Sequence, residues 1–352
     1  MRTRTFLVLA VAAISVGVLA PARAAPPGQG HLVYVDSSGT LASVRPDGRG
    51  YRSVVTPPGW ASDVEVSPDG RWVAFTRQPE DLLSGGLQEV WVARADLTGA
   101  HSIASEPGLF MYQPTWSPDS TRLAFVVGYP AGYFGIGYQA HVWVMGRDGS
   151  GKRPVAVLPG AAEQPTWAPR GSQVAFVVDA QEASAAIATV DVDAVPPLPR
   201  TLSPLGSIGV TKPHWSPSGD RLAYMDATSL YVVRADGSGL RRVSDGNNYP
   251  WNGGAVWSPD GRQLAYCLSS SGYFFGGSSG TGPWIVNATG RGKSRLLDTG
   301  PCFSPAWSPN GRSLAYVQPG AWRAELVVHG VSTRSRNVIV SGVGIDLVWT
   351  GR

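Results

Sequence analysis

Five histidines, His31, His101, His141, His214 and His329, are the residues best suited to proton transfer or metal ligation. No two share a ligand spacing such as His-Glu-x-x-His. Gly276-Gly277-Ser278-Ser279-Gly280 matches the Gly-x-Ser-x-Gly pattern of a nucleophile elbow. An elbow needs a strand before it and a helix after it, and this match sits in a Gly/Ser-rich stretch, so it reads as coincidence. Two cysteines remain, Cys267 and Cys302. A disulfide between them would close a loop of about 35 residues and contribute a few kcal/mol; the alternative is two separate buried thiols. No catalytic set emerges, and the expectation is a non-enzymatic protein.

A different pattern appears once the chain is cut into repeats. One phrase recurs six times: EVSPDGRWVAFTR at Glu65–Arg77 returns in variant form at Thr115–Val127, Thr166–Val178, His214–Asp226, Val256–Leu268 and Ala306–Gln318. Its prolines are Pro68, Pro118, Pro169, Pro217, Pro259 and Pro309. A period of roughly 40–50 residues with turn residues between strand-like flanks is the signature of a β-propeller. In each copy a short strand, often ending in Trp, meets Ser-Pro-Asp-Gly. Pro presets φ for the first central turn position and Gly takes the left-handed one. The chain then reverses into a second strand such as Leu264-Ala265-Tyr266. Third strands follow, for example Glu89–Arg94 and His141–Arg147, and fourth strands such as Arg153–Leu158, making the four-stranded antiparallel blade of a propeller.

The termini complete the pattern. His31–Val35, Leu41–Arg45 and Tyr51–Val55 read as second, third and fourth strands, and Gly344–Trp349 supplies the missing first one. The expected fold is all-β: a seven-bladed propeller of four-stranded blades, closed by N- and C-terminal strands in one shared blade. Such closure removes free sheet edges and should make folding cooperative. Trp116, Trp167, Trp215, Trp257, Trp307 and Trp349 recur with the repeat and are read as packing between neighbouring blades. Asp69, Asp119 and Asp260 are read as turn formers.

Two places remain for binding. Three residues before each Trp position lie Asp63, Gln113, Gln164, Lys212, Gly254, Ser304 and Asp346, which should ring the axis. Solvated residues lining a wet channel are one reading; the other is a small-ligand or metal site using Asp63, Asp346, Gln113 and Gln164, whose oxygens would suit calcium. No cofactor is otherwise expected. The second place is the face opposite the Ser-Pro-Asp-Gly turns. Its long loops carry Tyr129, Tyr133, Phe134, Tyr138, Tyr249, Trp251, Tyr273, Phe274 and Phe275. Aromatic side chains serve as binding anchors, or they pack on one another over the blade ends. Loops held on a rigid scaffold commonly carry function.

The beginning of the chain reads as a secretory signal peptide over residues 1–24. Arg2 and Arg4 precede the apolar run Phe6–Ala20, and Ala22-Arg23-Ala24 supplies a cleavage pattern. A short tail, 25–30, leads into a single propeller domain over 31–352. The run is shorter than the roughly 20 residues a membrane span requires, and no second one follows. Of 29 basic and 25 acidic residues, Arg2, Arg4 and Arg23 leave with the peptide, so the remainder is nearly neutral. Charge therefore gives no case for nucleic acid.

The phrase Trp257-Ser258-Pro259-Asp260-Gly261-Arg262, followed by Leu264-Ala265-Tyr266, resembles the TolB-type, WD-like propeller repeats of bacterial periplasmic and secreted proteins. The resemblance spans essentially residues 30–352. It implies a secreted or periplasmic scaffold that binds an envelope protein or peptide. The same repeat occurs in sugar-processing enzymes and beside peptidase domains, which makes carbohydrate binding or cleavage the alternative. The chain departs from TolB itself in two respects: strands begin almost at the cleavage site, leaving no room for an N-terminal α/β domain, and the blade count is seven where six is expected.

Overall fold

Each Ser-Pro-Asp-Gly turn is held by the same small set of hydrogen bonds. Ser67 N–H donates to Trp72 O at 2.9 Å, Gly70 N–H donates to Ser67 O at 2.8 Å, and Trp72 N–H donates to Ser67 Oγ at 2.9 Å. Asp69 Oδ1 accepts from Ser67 Oγ at 2.5 Å and Arg71 N–H at 3.0 Å. Gly70 has a φ of 69°, where a Cβ would be strained. Ser117 with Asp119 and Ser258 with Asp260 repeat this arrangement, and Asn310 takes the aspartate's place after Ser308.

The computed structural model describes residues 30–350 apart from 55–58, 81–87, 131–138, 180–184, 204–209, 211, 227–228, 245–253, 269–281, 291–293, 296–300 and 321–322. The described residues hold 28 strands and no helix. Within a repeat unit the strands pair antiparallel in chain order, as in Gly59–Val66, Trp72–Pro79, Glu89–Arg94 and His101–Ala104. Residues from both ends of the chain share one four-stranded sheet. Val343–Trp349 pairs with Leu32–Asp36, which pairs with Leu41–Val44 and then Arg52–Ser53. The register sets Leu32 opposite Trp349 and Tyr34 opposite Leu347.

One departure from separate four-stranded sheets is local. Five sheets have four strands, but the units over 110–156 and 161–201 merge into one of eight. A single parallel bridge, Ala140 to Ala161, joins them. The Gln139 side chain reinforces this bridge, its Oε1 accepting from Gly160 N–H at 3.1 Å.

The second strand of every unit is buried on both faces. Tyr34, Phe75, Phe125, Phe176, Tyr224, Tyr266 and Tyr316 occupy the same place in the repeated phrase, and none is more than 2% exposed. Apolar side chains on both faces require a neighbour on each side, and the hydrophobic clusters supply it. Each of the seven clusters among the described residues draws on two neighbouring units. One of them joins Leu326 and Val328 near the end of the chain to Leu32 and Tyr34 at its beginning.

Candidate functional site

The inner strand of a unit does not run straight. Its pairing register breaks between Ser62 and Glu65, Tyr112 and Thr115, Glu163 and Thr166, and Phe303 and Ala306. These are β-bulges, which bend a strand and re-aim a side chain. At each bulge one non-glycine residue takes a left-handed backbone: Asp63 (φ 51°), Gln113 (54°), Gln164 (54°) and Ser304 (46°). Gly254 has the equivalent position and a φ of 64°. A left-handed non-glycine residue costs about 1–2 kcal/mol, so each must be held by its surroundings.

Three of the bulge amides are held from the unit before. Asp63 N–H donates to Asp346 Oδ2 at 3.2 Å. Gln113 N–H donates to Thr76 Oγ1 at 3.0 Å, and Gln164 N–H donates to Gln113 Oε1 at 2.8 Å. Thr76 in turn donates to Asp63 Oδ2 at 2.8 Å. A hydrogen-bonded arc therefore runs from Asp346 through Asp63, Thr76 and Gln113 to Gln164.

These residues face one cavity of about 640 Å³. Asp63, Gln113, Gln164, Lys212, Ser304 and Asp346 all line it. A second tier, at the residue before each Trp position, lies beside them. Glu65, Thr166 and His214 make its polar arc, while Val256, Ala306 and Val348 make an apolar one. Sequence reasoning read the outer tier and missed Glu65. The signal was available in the equivalence of Glu65, Thr115, Thr166 and His214 within the repeat.

The electrostatics are set by burial and crowding. Burial, and next the negative charge of Asp63, push the Asp346 carboxyl up to about 6, against the pull of the Asp63 N–H and Lys212. Burial also raises Glu65, opposed by Lys212 and by Thr115, whose hydroxyl donates to Glu65 Oε1 at 3.0 Å. Lys212 Nζ is 3.9 Å from Glu65 Oε2, an ion-pair separation too long for a hydrogen bond. Among the described residues no group of three or more His, Cys, Asp or Glu is arranged to hold a metal ion.

The Trp positions stitch neighbouring inner strands around this cavity. The indole N–H of Trp116 donates to Glu65 O, that of Trp215 to Thr166 O, that of Trp257 to His214 O and that of Trp307 to Val256 O, at 2.8–3.2 Å. Trp167 differs, donating to Gly171 O in its own turn at 3.3 Å.

The other singled-out residues lie elsewhere. Tyr133, Phe134, Tyr138, Tyr249, Trp251, Tyr273, Phe274, Phe275 and the Gly276–Gly280 match lie outside the described residues. Tyr129 is half-buried, its ring 5.3 Å from that of His141. Cys267 and Cys302 form a disulfide with Cα atoms 5.4 Å apart, packed in the cluster that contains Trp307 and Tyr316. Of the histidines, His214 lines the cavity, His329 is buried and His101 is exposed.

Repeated four-stranded units, inner strands facing a common cavity and indole stitches between units define a protein of the β-propeller class. Residues 88–276 match the family described as the TolB beta propeller domain, and the chain belongs to that family. It is 32% identical over 108 residues to the Tol-Pal system protein TolB of Gluconobacter oxydans, covering 30% of this chain and 23% of that protein. Against the TolB of Legionella pneumophila strain Corby the figures are 38% over 72 residues, 20% and 17%. The matched part thus spans less than a quarter of these relatives' own length. Among solved structures, TolB from Acinetobacter baumannii superposes with a TM-score of 0.58 at 16% identity, covering 92% of this chain and 67% of that one. An oligogalacturonate lyase in complex with manganese gives 0.62 at 11% identity, covering 82% of each chain. A puromycin-hydrolyzing peptidase of Mycobacterium tuberculosis gives 0.65 at 13%, covering 90% of this chain and 54% of that one. At these identities the likenesses concern the fold.

Proposed function

We propose that this protein is a non-enzymatic binding scaffold of the bacterial cell envelope or exterior, which captures a protein or peptide segment at the axial cavity. Residues 1–24 act as the signal peptide, 25–30 as a tail and 31–352 as a single propeller. The units form a ring of seven blades closed by the shared terminal sheet. The seven hydrophobic clusters support this ring, because linking each pair of units in turn returns from the last to the first. Family membership and the Tol-Pal system relatives support an envelope role.

The observation that carries the binding reading is the convergence of polar side chains from different units on one cavity of about 640 Å³, large enough for a few residues of peptide. A photocrosslinker at Ser304, in the cavity, should yield a discrete protein adduct in whole cells. The same group at the exposed Asp236, on a hairpin away from the cavity, should not. Carbohydrate is the second reading, favoured by the lyase-like fold. Binding on a glycan array with no protein adduct from Ser304 would put carbohydrate in place of a protein ligand.

A further inference from the structure

We propose that the axial cavity selects a cationic side chain on an apolar stem, an arginine or lysine of the bound segment. This rests on the peptide-binding reading above and names what that site recognises.

Three features specify the ligand. Three carboxyls, Asp63, Glu65 and Asp346, share the cavity with one ammonium, Lys212, and with the imidazole of His214. Their negative charge exceeds that of the one ammonium, and partly buried charge without a counter-ion is costly, a cost that an added cation offsets. Second, two acceptors are left over. Glu65 Oε2 and Gln164 Oε1 are buried and accept no hydrogen bond. A carboxylate oxygen and an amide oxygen call for donors, and guanidinium carries five N–H groups and ammonium three. Third, part of the wall is apolar, formed by Val256, Pro305, Ala306 and Val348. An aliphatic stem can lie against such a wall while its charged head reaches the polar arc.

Lys212 already approaches Glu65 at 3.9 Å from another unit, with its side chain 35% exposed. It acts as an internal competitor that an incoming guanidinium or ammonium displaces from Glu65. The titratable and charged groups that share the cavity with Asp346, among the described residues, are Asp63 and Glu65 on the neighbouring inner strand, Lys212 and His214. Protonation of Asp346 as pH falls through about 6 reduces the attraction.

The test is calorimetric titration of the full-length mature protein with short blocked glycine peptides carrying a central arginine, lysine, citrulline or norleucine. At neutral pH and low salt, arginine and lysine should bind at least about tenfold more tightly than citrulline or norleucine. Glu65→Gln and Asp346→Asn, which keep shape, should shrink that ratio to about threefold or less. Lys212→Met should tighten arginine binding. Thermal melts of each variant report whether the fold is retained. Equal binding of citrulline and arginine, a ratio preserved in both carboxyl variants, or no binding of the arginine peptide at millimolar concentration overturns the proposal. A protein adduct from Ser304 competed by a neutral peptide would leave the scaffold reading standing while removing this one.

Discussion

The backbone N–H of Asp63 donates to Oδ2 of Asp346 across 3.2 Å of space and 283 residues of sequence. One hydrogen bond thus ties the first complete unit to the last strand and places two carboxyls together in the cavity. The pairing has a thermodynamic consequence. The folded Asp346 carboxyl titrates near 6, against an ordinary value of 3.8. A raised carboxyl favours folding while it is protonated. That benefit is complete below 3.8 and is lost as pH rises through about 6. Asp346→Asn should therefore be more stable than the parent at pH 7.5, with an upper limit of about 3 kcal/mol set by that displacement. The advantage should shrink on acidification between those two values. Urea melts across the range check it; a variant less stable than the parent at pH 7.5 refutes it.

The turn aspartates should respond in the opposite sense. Asp260 accepts from Ser258 Oγ and Arg262 N–H, and these bonds hold its carboxyl below the ordinary value. Its stabilisation is present above 3.8 and is lost as pH falls through the lowered value. Asp260→Ala should cost about 1 kcal/mol at neutral pH, at the low end for charged hydrogen bonds because the turn is exposed. In strong acid the two proteins should converge. A cost that persists in strong acid would mean that the carboxylate charge is not its source.

Trp257 should matter through its indole nitrogen as well as its bulk. Its N–H donates to His214 O at 2.8 Å, and the Arg221 guanidinium sits 5.0 Å from its ring. Trp257→Phe leaves that carbonyl without the indole donor and should cost about 1–3 kcal/mol. Trp167→Phe should cost less, because its N–H reaches only Gly171 within its own turn. The order of the two costs in denaturant melts is the readout, and a reversed order would refute the stitch.

The Cys267–Cys302 disulfide closes a separation of 35 residues. The chain-entropy treatment gives about 3–4 kcal/mol for a loop of that size. The double Cys267→Ser/Cys302→Ser variant should melt earlier by a corresponding amount. Alkylation and mass measurement of the parent without reductant should find no free thiol.

Much of the strand plan was legible because one phrase punctuates it. Gly70 and its equivalents mark where the chain turns, and Phe75 and its equivalents mark the doubly buried strand. Outer strands were legible only roughly: Arg153–Leu158 was expected and Arg153–Ala156 is observed, since an edge strand pairs on one side only. The merged sheet was not legible. It depends on Ala140 meeting Ala161, and neither residue carries a pairing signal. The outer tier of the cavity followed from counting back from Trp, but the bulges did not. Gln113 and Gln164 have no intrinsic preference for left-handed backbone, and only Gly254 hinted at it. Glu65 escaped notice because a charged residue in a strand reads as solvent-facing until its neighbours are known.

The pairing of Leu32–Asp36 with Val343–Trp349 sets an order of events during synthesis. A ribosome delivers Leu32–Asp36 long before its partner Val343–Trp349. Throughout that interval Leu32–Asp36 presents an unpaired edge, and Tyr34 and Leu32 lack the late-arriving side chains that bury them. Such an edge can recruit strands from other unfolded chains, so this protein should depend on a holding chaperone until Val343–Trp349 is available to pair.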